Sequence, residues 1–331
     1  MTQSLLIVIL ALAVTLLGSS VFTNAIEWFG KRLKLSEGAV GSVLAAVGTA
    51  LPETIIPLIA LLFGTGTAKK EIGIGAILGA PFMLATLTLP LAGFGVYYFS
   101  ILGKRKKSLN LNFAEIGTDL KYFLISISLA VAATAVNNRM THILIGLLLF
   151  GIYAHYLKTI LARPSSESHS LDPLFLEKII RNPGLPAILF QTFIGLGLIV
   201  GGAYFFIDGI EQVAAYFQVS PMILSLLVTP IATELPEKFN SLIWISKKKD
   251  QLAITNITGA LVFQSTFPVS FGLFLTPWQF DHNGIVNIVL TLSTALIFYG
   301  VLLFKKKWEF HHLMAGSLAY IGYALTLIFH A

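Results

Sequence analysis

Gly48-Thr49-Ala50-Leu51-Pro52-Glu53 and Ala232-Thr233-Glu234-Leu235-Pro236-Glu237 are two copies of one hexapeptide, each inside a long apolar segment. Both read Thr-x-Leu-Pro-Glu. A carboxylate flanked by apolar residues costs about 2.5–3.5 kcal/mol to place in hydrocarbon, so it normally faces a protein interior or a wet cavity. Two such carboxylates in matching positions suggest one shared site. Each neighbouring proline lacks an N–H for the carbonyl four residues earlier, which leaves the Gly48 and Ala232 carbonyls available as ligands.

The segments around the hexapeptides decide the class. Hydrophobic residues make up 56% of 331 positions and charged residues 11%, a balance that soluble domains do not reach. Apolar runs of about twenty residues suffice to cross the hydrocarbon core. Such runs fall near 4–28, 39–64, 72–100, 118–135, 141–160, 187–216, 221–246, 251–273, 284–304 and 309–329. The expectation is an all-α polytopic membrane protein with ten transmembrane helices. The first run could imitate a signal peptide, but it lacks a basic leading region and belongs to an internal repeat.

Loop charge sets the expected orientation. Alternate loops carry seventeen Lys and Arg residues, among them Lys104–Lys107, Lys247–Lys249 and Lys305–Lys307, whereas the opposite loops hold Lys69, Lys70 and Arg139. The richer side is then cytoplasmic and both termini lie on the other face. The net charge of +6 is a property of topology, not a sign of nucleic-acid binding. The absence of cysteine excludes disulfides and thiolate metal sites.

Residues 18–53 and 202–237 align without a gap, nine of thirty-six positions being identical, including Gly18/Gly202, Phe22/Phe206, Glu27/Glu211 and Thr49/Thr233. An odd number of helices per copy makes the second copy enter the membrane from the opposite side. The expected organisation is therefore two inverted five-helix repeats, 1–161 and 186–331, joined by a cytoplasmic linker at 162–185. Inverted repeats with a midplane site are typical of secondary transporters.

Thr49 and Glu53 are four residues apart, as are Thr233 and Glu237, so hydroxyl and carboxylate share a helical face. A hydroxyl, a carbonyl and a carboxylate from each repeat form an all-oxygen set suited to hard cations such as Ca²⁺, Na⁺ and Mg²⁺. The alternative is that each threonine bonds back to its own helix and each glutamate is packed and protonated. Glu234 and Lys238 are placed for an ion pair within the helix. Glu234 as an additional ligand or proton acceptor is the competing reading. Glu27 and Glu211 lie near helix ends, where capping or snorkelling is usual, and Trp28, Trp278 and Trp308 are expected in interfacial belts.

The two hexapeptides, with Ile74-Gly75-Ala76-Ile77-Leu78-Gly79-Ala80 and Ile254-Thr255-Asn256-Ile257-Thr258-Gly259-Ala260 after them, resemble the two alpha repeats of the calcium/cation antiporter superfamily, in its sodium/calcium exchanger branch. The resemblance implies that Glu53 and Glu237 are the central Ca²⁺-binding carboxylates, with Thr49 and Thr233 around them. It also implies sodium sites beside the calcium site and alternating access by sliding of the first and sixth helices against the remaining core. Where the family's third helix carries Gly-Ser-Asn and a further Asn, this chain has Gly79-Ala80-Pro81 and Leu84; in the eighth, Gln264 stands where Asn or Asp is expected. Fewer neutral oxygen ligands imply fewer sodium sites, which makes a proton a candidate counter-ion.

The reading is a cation antiporter of the plasma or inner membrane, exchanging Ca²⁺ or another cation for Na⁺ or H⁺. Its partners are inorganic cations and the bilayer; neither enzyme chemistry nor a cofactor is expected. A non-transporting membrane protein of the same fold and a passive cation channel are the alternatives.

Overall fold

The computed structural model describes residues 2–32, 50–161, 173–178, 184–305 and 308–330, with the side chains of these residues except at 161, 178, 235–240 and 328–330. The architecture is helical: α1 (Thr2–Arg32), α2 (Leu51–Phe63), α3 (Thr67–Met83), a π-helical segment (Leu84–Thr88), α4 (Leu89–Ile101), α5 (Phe113–Thr134), α6 (Arg139–Leu161), a 3₁₀ turn (Phe175–Lys178), α7 (Leu185–Phe217), α8 (Pro221–Ser246), α9 (Asp250–Leu275), α10 (His282–Lys305), α11 (Phe310–Met314) and α12 (Gly316–His330). Among the described residues seven helices are long and apolar enough to cross a membrane, α3 to α4 forming one continuous helix, and Leu51–Phe63 and Pro221–Glu234 are shorter apolar helices. The last expected span, 309–329, is divided at Ala315, between α11 and α12.

The apolar character follows the expected spans. Leu6, Ile9, Leu10 and Leu17 on α1 and Phe190, Phe193 and Phe205 on α7 are exposed, the outward face a bilayer covers. Trp278 and Trp308 differ from the expectation for an interfacial belt, being only 0% and 1% exposed. Trp278 Nε1 donates to the Ala130 carbonyl at 3.0 Å, so its polar atom finds its partner inside the protein instead of at the headgroups.

Two compact units are present, residues 1–73 with 154–221 and residues 74–153 with 222–331. Each draws helices from both halves of the sequence, so the compact units cut across the sequence repeats.

The first unit is built on the pairing of α1 with α7, which are repeat mates. Gly195, Gly202 and Gly209 recur every seven residues along one face of α7. A Cβ on Gly195 would lie 2.6 Å from the Phe22 nitrogen, one on Gly209 2.6 Å from Val8, and one on Gly202 would strike Thr15; Gly18 makes the reciprocal approach to Ile199. These contacts run in opposite directions along the two helices, so α1 and α7 are antiparallel with backbones in close approach, the small-residue packing that membrane helices favour. At one end of the pair Gln191 Nε2 donates to Asn24 Oδ1 and to the Val21 carbonyl, and Asn24 Oδ1 also accepts from the Phe175 amide.

The second unit holds α4, α5 and α8 to α12. Gly75 and Gly79 of α3 pack against α8: a Cβ on either would collide with the Met222 or the Leu226 carbonyl. The glycines of the third span thus serve helix packing. Helix α5 runs parallel to α9, joined by Glu115 to Gln251 and, further along, Asp119 to Thr258. At the same end Arg105 grips Asp250 with two bonds of 2.7 and 2.8 Å, and the Asn110 amide donates to Asp250 Oδ2 at 2.9 Å.

Candidate functional site

In the first unit, Ala50 is the N-cap and α2 begins at Leu51, with Pro52 in the first turn, where a missing N–H costs nothing. Glu53 also lies in that turn and is 4% exposed. A carboxylate there is favoured by the partial positive charge of the helix N-terminus. Thr54 donates to the Ala50 carbonyl at 2.9 Å. Pro57, inside α2, cannot supply the N–H that would bond the Glu53 carbonyl in a regular helix. That second proline was the signal sequence reasoning passed over. Gly48 and Thr49 lie outside the described residues.

In the second unit the hexapeptide is internal to α8. Thr233 is buried and its hydroxyl donates to the Thr229 carbonyl at 3.0 Å, the back-bonding of the bland alternative; its oxygen lone pairs remain acceptors. Glu234 is 2% exposed, and Ala232 is half-buried. The side chains of Glu237 and Lys238 lie outside the described residues, and with them the Glu234–Lys238 ion pair. Gln264, on α9, is buried, and its Oε1 has no hydrogen-bond partner among the described residues. A buried amide oxygen without a protein partner is an available neutral ligand. Ala80 and Leu84, where polar ligands were missing from the sequence, are buried. Among the described residues no three His, Cys, Asp or Glu side chains cluster as a metal site.

The repeat-related Glu211 is 40% exposed and lies 3.9 Å from Lys69, which bonds Asp208 at 2.6 Å. Glu211 therefore belongs to a peripheral ion-pair group at the end of α7. The sequence reading missed Asp119, a carboxylate 1% exposed in α5 whose Oδ2 accepts from Thr258 Oγ1 at 2.6 Å. A lone acidic residue inside an expected span was the available signal.

A membrane-embedded helical fold, internally duplicated, with buried carboxylates beside prolines, defines an ion-transporter architecture. The chain belongs to the sodium/calcium exchanger protein family, whose model matches residues 3–162 and 187–330. This places it in the calcium/cation antiporter superfamily as a multi-pass integral membrane protein, and membership in a family of exchangers supports cation antiport as its general activity. The chain is 23% identical over 271 residues to the inner membrane protein YrbG of Escherichia coli K12, covering 81% of this chain and 78% of that protein. Its fold is similar to that of the H⁺/Ca²⁺ exchanger CAX, with a TM-score of 0.76 at 16% identity over 98% of this chain and 86% of the other. It is also similar to the sodium-calcium exchanger NCX_Mj, with a TM-score of 0.60 at 18% identity over 98% and 99% of the two chains.

Proposed function

We propose that this protein is a secondary active antiporter that exchanges Ca²⁺, or another cation, for H⁺ or Na⁺ by alternating access. The observation that carries the reading is Glu53, a carboxylate 4% exposed in an apolar helix and duplicated in the sequence as Glu237. Maintaining such a group in a membrane interior is costly, and its recurrence in a second copy of the same hexapeptide argues for a role in ion binding.

The chain is organised as ten spans in two inverted five-helix repeats, 1–161 and 186–331, with 162–185 as a cytoplasmic linker and both termini on the opposite face. The antiparallel packing of the repeat mates α1 and α7 supports the inversion. Glu53 and Glu237 are the central cation ligands. The hydroxyls of Thr49 and Thr233, the carbonyls of Gly48 and Ala232, and the side chains of Glu234 and Gln264 are the auxiliary ones. All are oxygen donors, as a hard cation requires. The apolar Ala80, Pro81 and Leu84 supply no side-chain oxygen for sodium, which favours a proton as counter-ion.

Reconstituted flux tests the reading. Liposomes containing the protein should take up Ca²⁺ against an outward proton gradient, and Glu53→Gln and Glu237→Gln should each abolish uptake. Absence of wild-type flux for Ca²⁺, Mn²⁺ and Na⁺ under Na⁺ or pH gradients would show a non-transporting protein, and flux without counter-ion coupling would show a channel. Uptake driven by sodium and indifferent to pH would replace the proton as counter-ion.

A further inference from the structure

Buried polar groups are normally paired, and one residue of the second unit departs from that at both ends of its side chain. Asn287, in the second turn of α10, is 0% exposed, and neither its Oδ1 nor its Nδ2 has a hydrogen-bond partner among the described residues. An amide left in that state bears its full desolvation cost, which a leucine of similar size would avoid. What can satisfy it is narrow. A bare cation suits Oδ1 and repels Nδ2, and a carboxylate does the reverse. Water suits both, donating to Oδ1 and accepting from Nδ2. Polar side chains held inside a membrane-spanning unit mark the paths of ions, and a cation that keeps part of its water shell brings such waters with it.

The surroundings of Asn287 are polar along two helices. α8 and α10 meet at their first turns, where a Cβ on Gly284 would lie 3.3 Å from Met222 Cε. Asn287 is one turn further along α10 than Gly284, on the same face. Another turn along is Thr291, 1% exposed, whose hydroxyl donates to the Asn287 carbonyl at 2.9 Å and keeps its lone pairs as acceptors. On α8, Ser225, Thr229 and Thr233 recur every four residues from the same end, all buried, with 3.0 Å between the Ser225 and Thr229 hydroxyls. The π-helical segment, whose Thr88 hydroxyl also has no partner among the described residues, packs against α10 and against α9, the helix of Gln264. Insertions of π-helix recur at functional sites.

We propose that Asn287 is a cation-solvating site: its amide and the Thr291 hydroxyl contact the water shell of a partly hydrated hard cation such as Ca²⁺, which enters where α8 and α10 begin and passes on toward Thr233. The site rests on the antiport reading above and deepens it with a residue from a helix that has no carboxylate. An amide stays neutral and a hydroxyl is a weak ligand, so the pair solvates the ion without trapping it. α8 is followed by Lys247–Lys249 and α10 ends at Lys305, which puts the beginnings of both helices on the non-cytoplasmic face.

The chain has no cysteine, so a single introduced thiol reports on water access. In oriented membrane vesicles, Asn287→Cys should react with a charged, membrane-impermeant methanethiosulfonate from the face where α10 begins, whereas Leu296→Cys, on the exposed apolar surface of the same helix, should not. A thiol at 287 that is unreactive from both faces overturns the proposal. Binding is read separately on the purified full-length protein, whose thermal midpoint Ca²⁺ should raise. Asn287→Leu should match or exceed the wild-type midpoint without Ca²⁺ and need about tenfold more Ca²⁺ for the same rise. An unchanged Ca²⁺ response in Asn287→Leu overturns the site, as does a wild-type midpoint that responds to none of Ca²⁺, Mn²⁺ and Na⁺. Flux separates the two readings. If the thiol and the midpoint behave as described but the wild type exchanges no ion, the antiport reading fails and the cation site stands. If Glu53→Gln abolishes exchange while Asn287→Leu binds and transports as the wild type does, the antiport reading stands and the site fails.

Discussion

The α1–α7 pair of the first unit and the α5–α9 pair of the second each join one helix from either half of the sequence, but by different means. Along α1 and α7 the contact is backbone against backbone over Gly18, Gly195, Gly202 and Gly209. Along α5 and α9 it is side chain to side chain, through Glu115–Gln251 and the buried Asp119–Thr258 bond, with Arg105–Asp250 at the same end. A glycine seam holds the two helices by close van der Waals contact of their backbones. A seam crossed by buried hydrogen bonds resists a shift, because each bond broken leaves a buried polar group unsatisfied.

This contrast is breakable by mutation. The largest expected effect is Arg105→Ala, which strands the Asp250 carboxylate and should cost about 3–5 kcal/mol, read as a fall in the thermal midpoint of the purified protein. A small effect there would mean that Asp250 is not held as an ion pair. In the glycine seam, Gly202→Val places a side chain against Thr15 and the Ala11 carbonyl. Overpacking of this kind costs about 1–3 kcal/mol, read as a fall in the thermal midpoint of the purified protein.

On the same helix Gly201 has nothing within 4 Å of an added Cβ. Gly201→Ala should therefore stabilise by about 0.5–1 kcal/mol, and a loss comparable to that of Gly202→Val would refute the assignment of the seam to one face. The smallest effect belongs to Lys69→Ala. The Lys69–Asp208 pair is partly exposed, with side chains 23% and 46% accessible, and such pairs contribute about 0–1 kcal/mol. Its effect should shrink further in high salt, whereas that of Arg105→Ala should not.

Much of this was legible along the chain. The spans at 118–135, 221–246 and 251–273 correspond closely to α5, α8 and α9 because length and apolarity are local properties. Burial of Glu53, Thr233, Glu234 and Gln264 follows from their place in expected spans. The expectation that failed concerned a residue whose state depends on a distant partner. Trp278 looked interfacial from its flanking loop, but its indole is satisfied by Ala130, far away in sequence. Thr233 bonds back to Thr229 within its own helix, the alternative already open from the sequence, and its lone pairs stay available as acceptors. Gly75 and Gly79 carried the resemblance as motif residues; what they do is admit the α8 backbone.

From sequence alone come the membrane class, the duplication and the candidate carboxylates Glu53 and Glu237. These are written in composition, spacing and repetition, all of which a single strand of text contains. Tertiary structure alone decided that Arg105 meets Asp250 and that Asp119 meets Thr258, contacts spanning 145 and 139 residues. Hydrogen bonds act over a few ångströms of space and are indifferent to separation along the chain, so which side chain each buried aspartate meets appears only once the helices are packed.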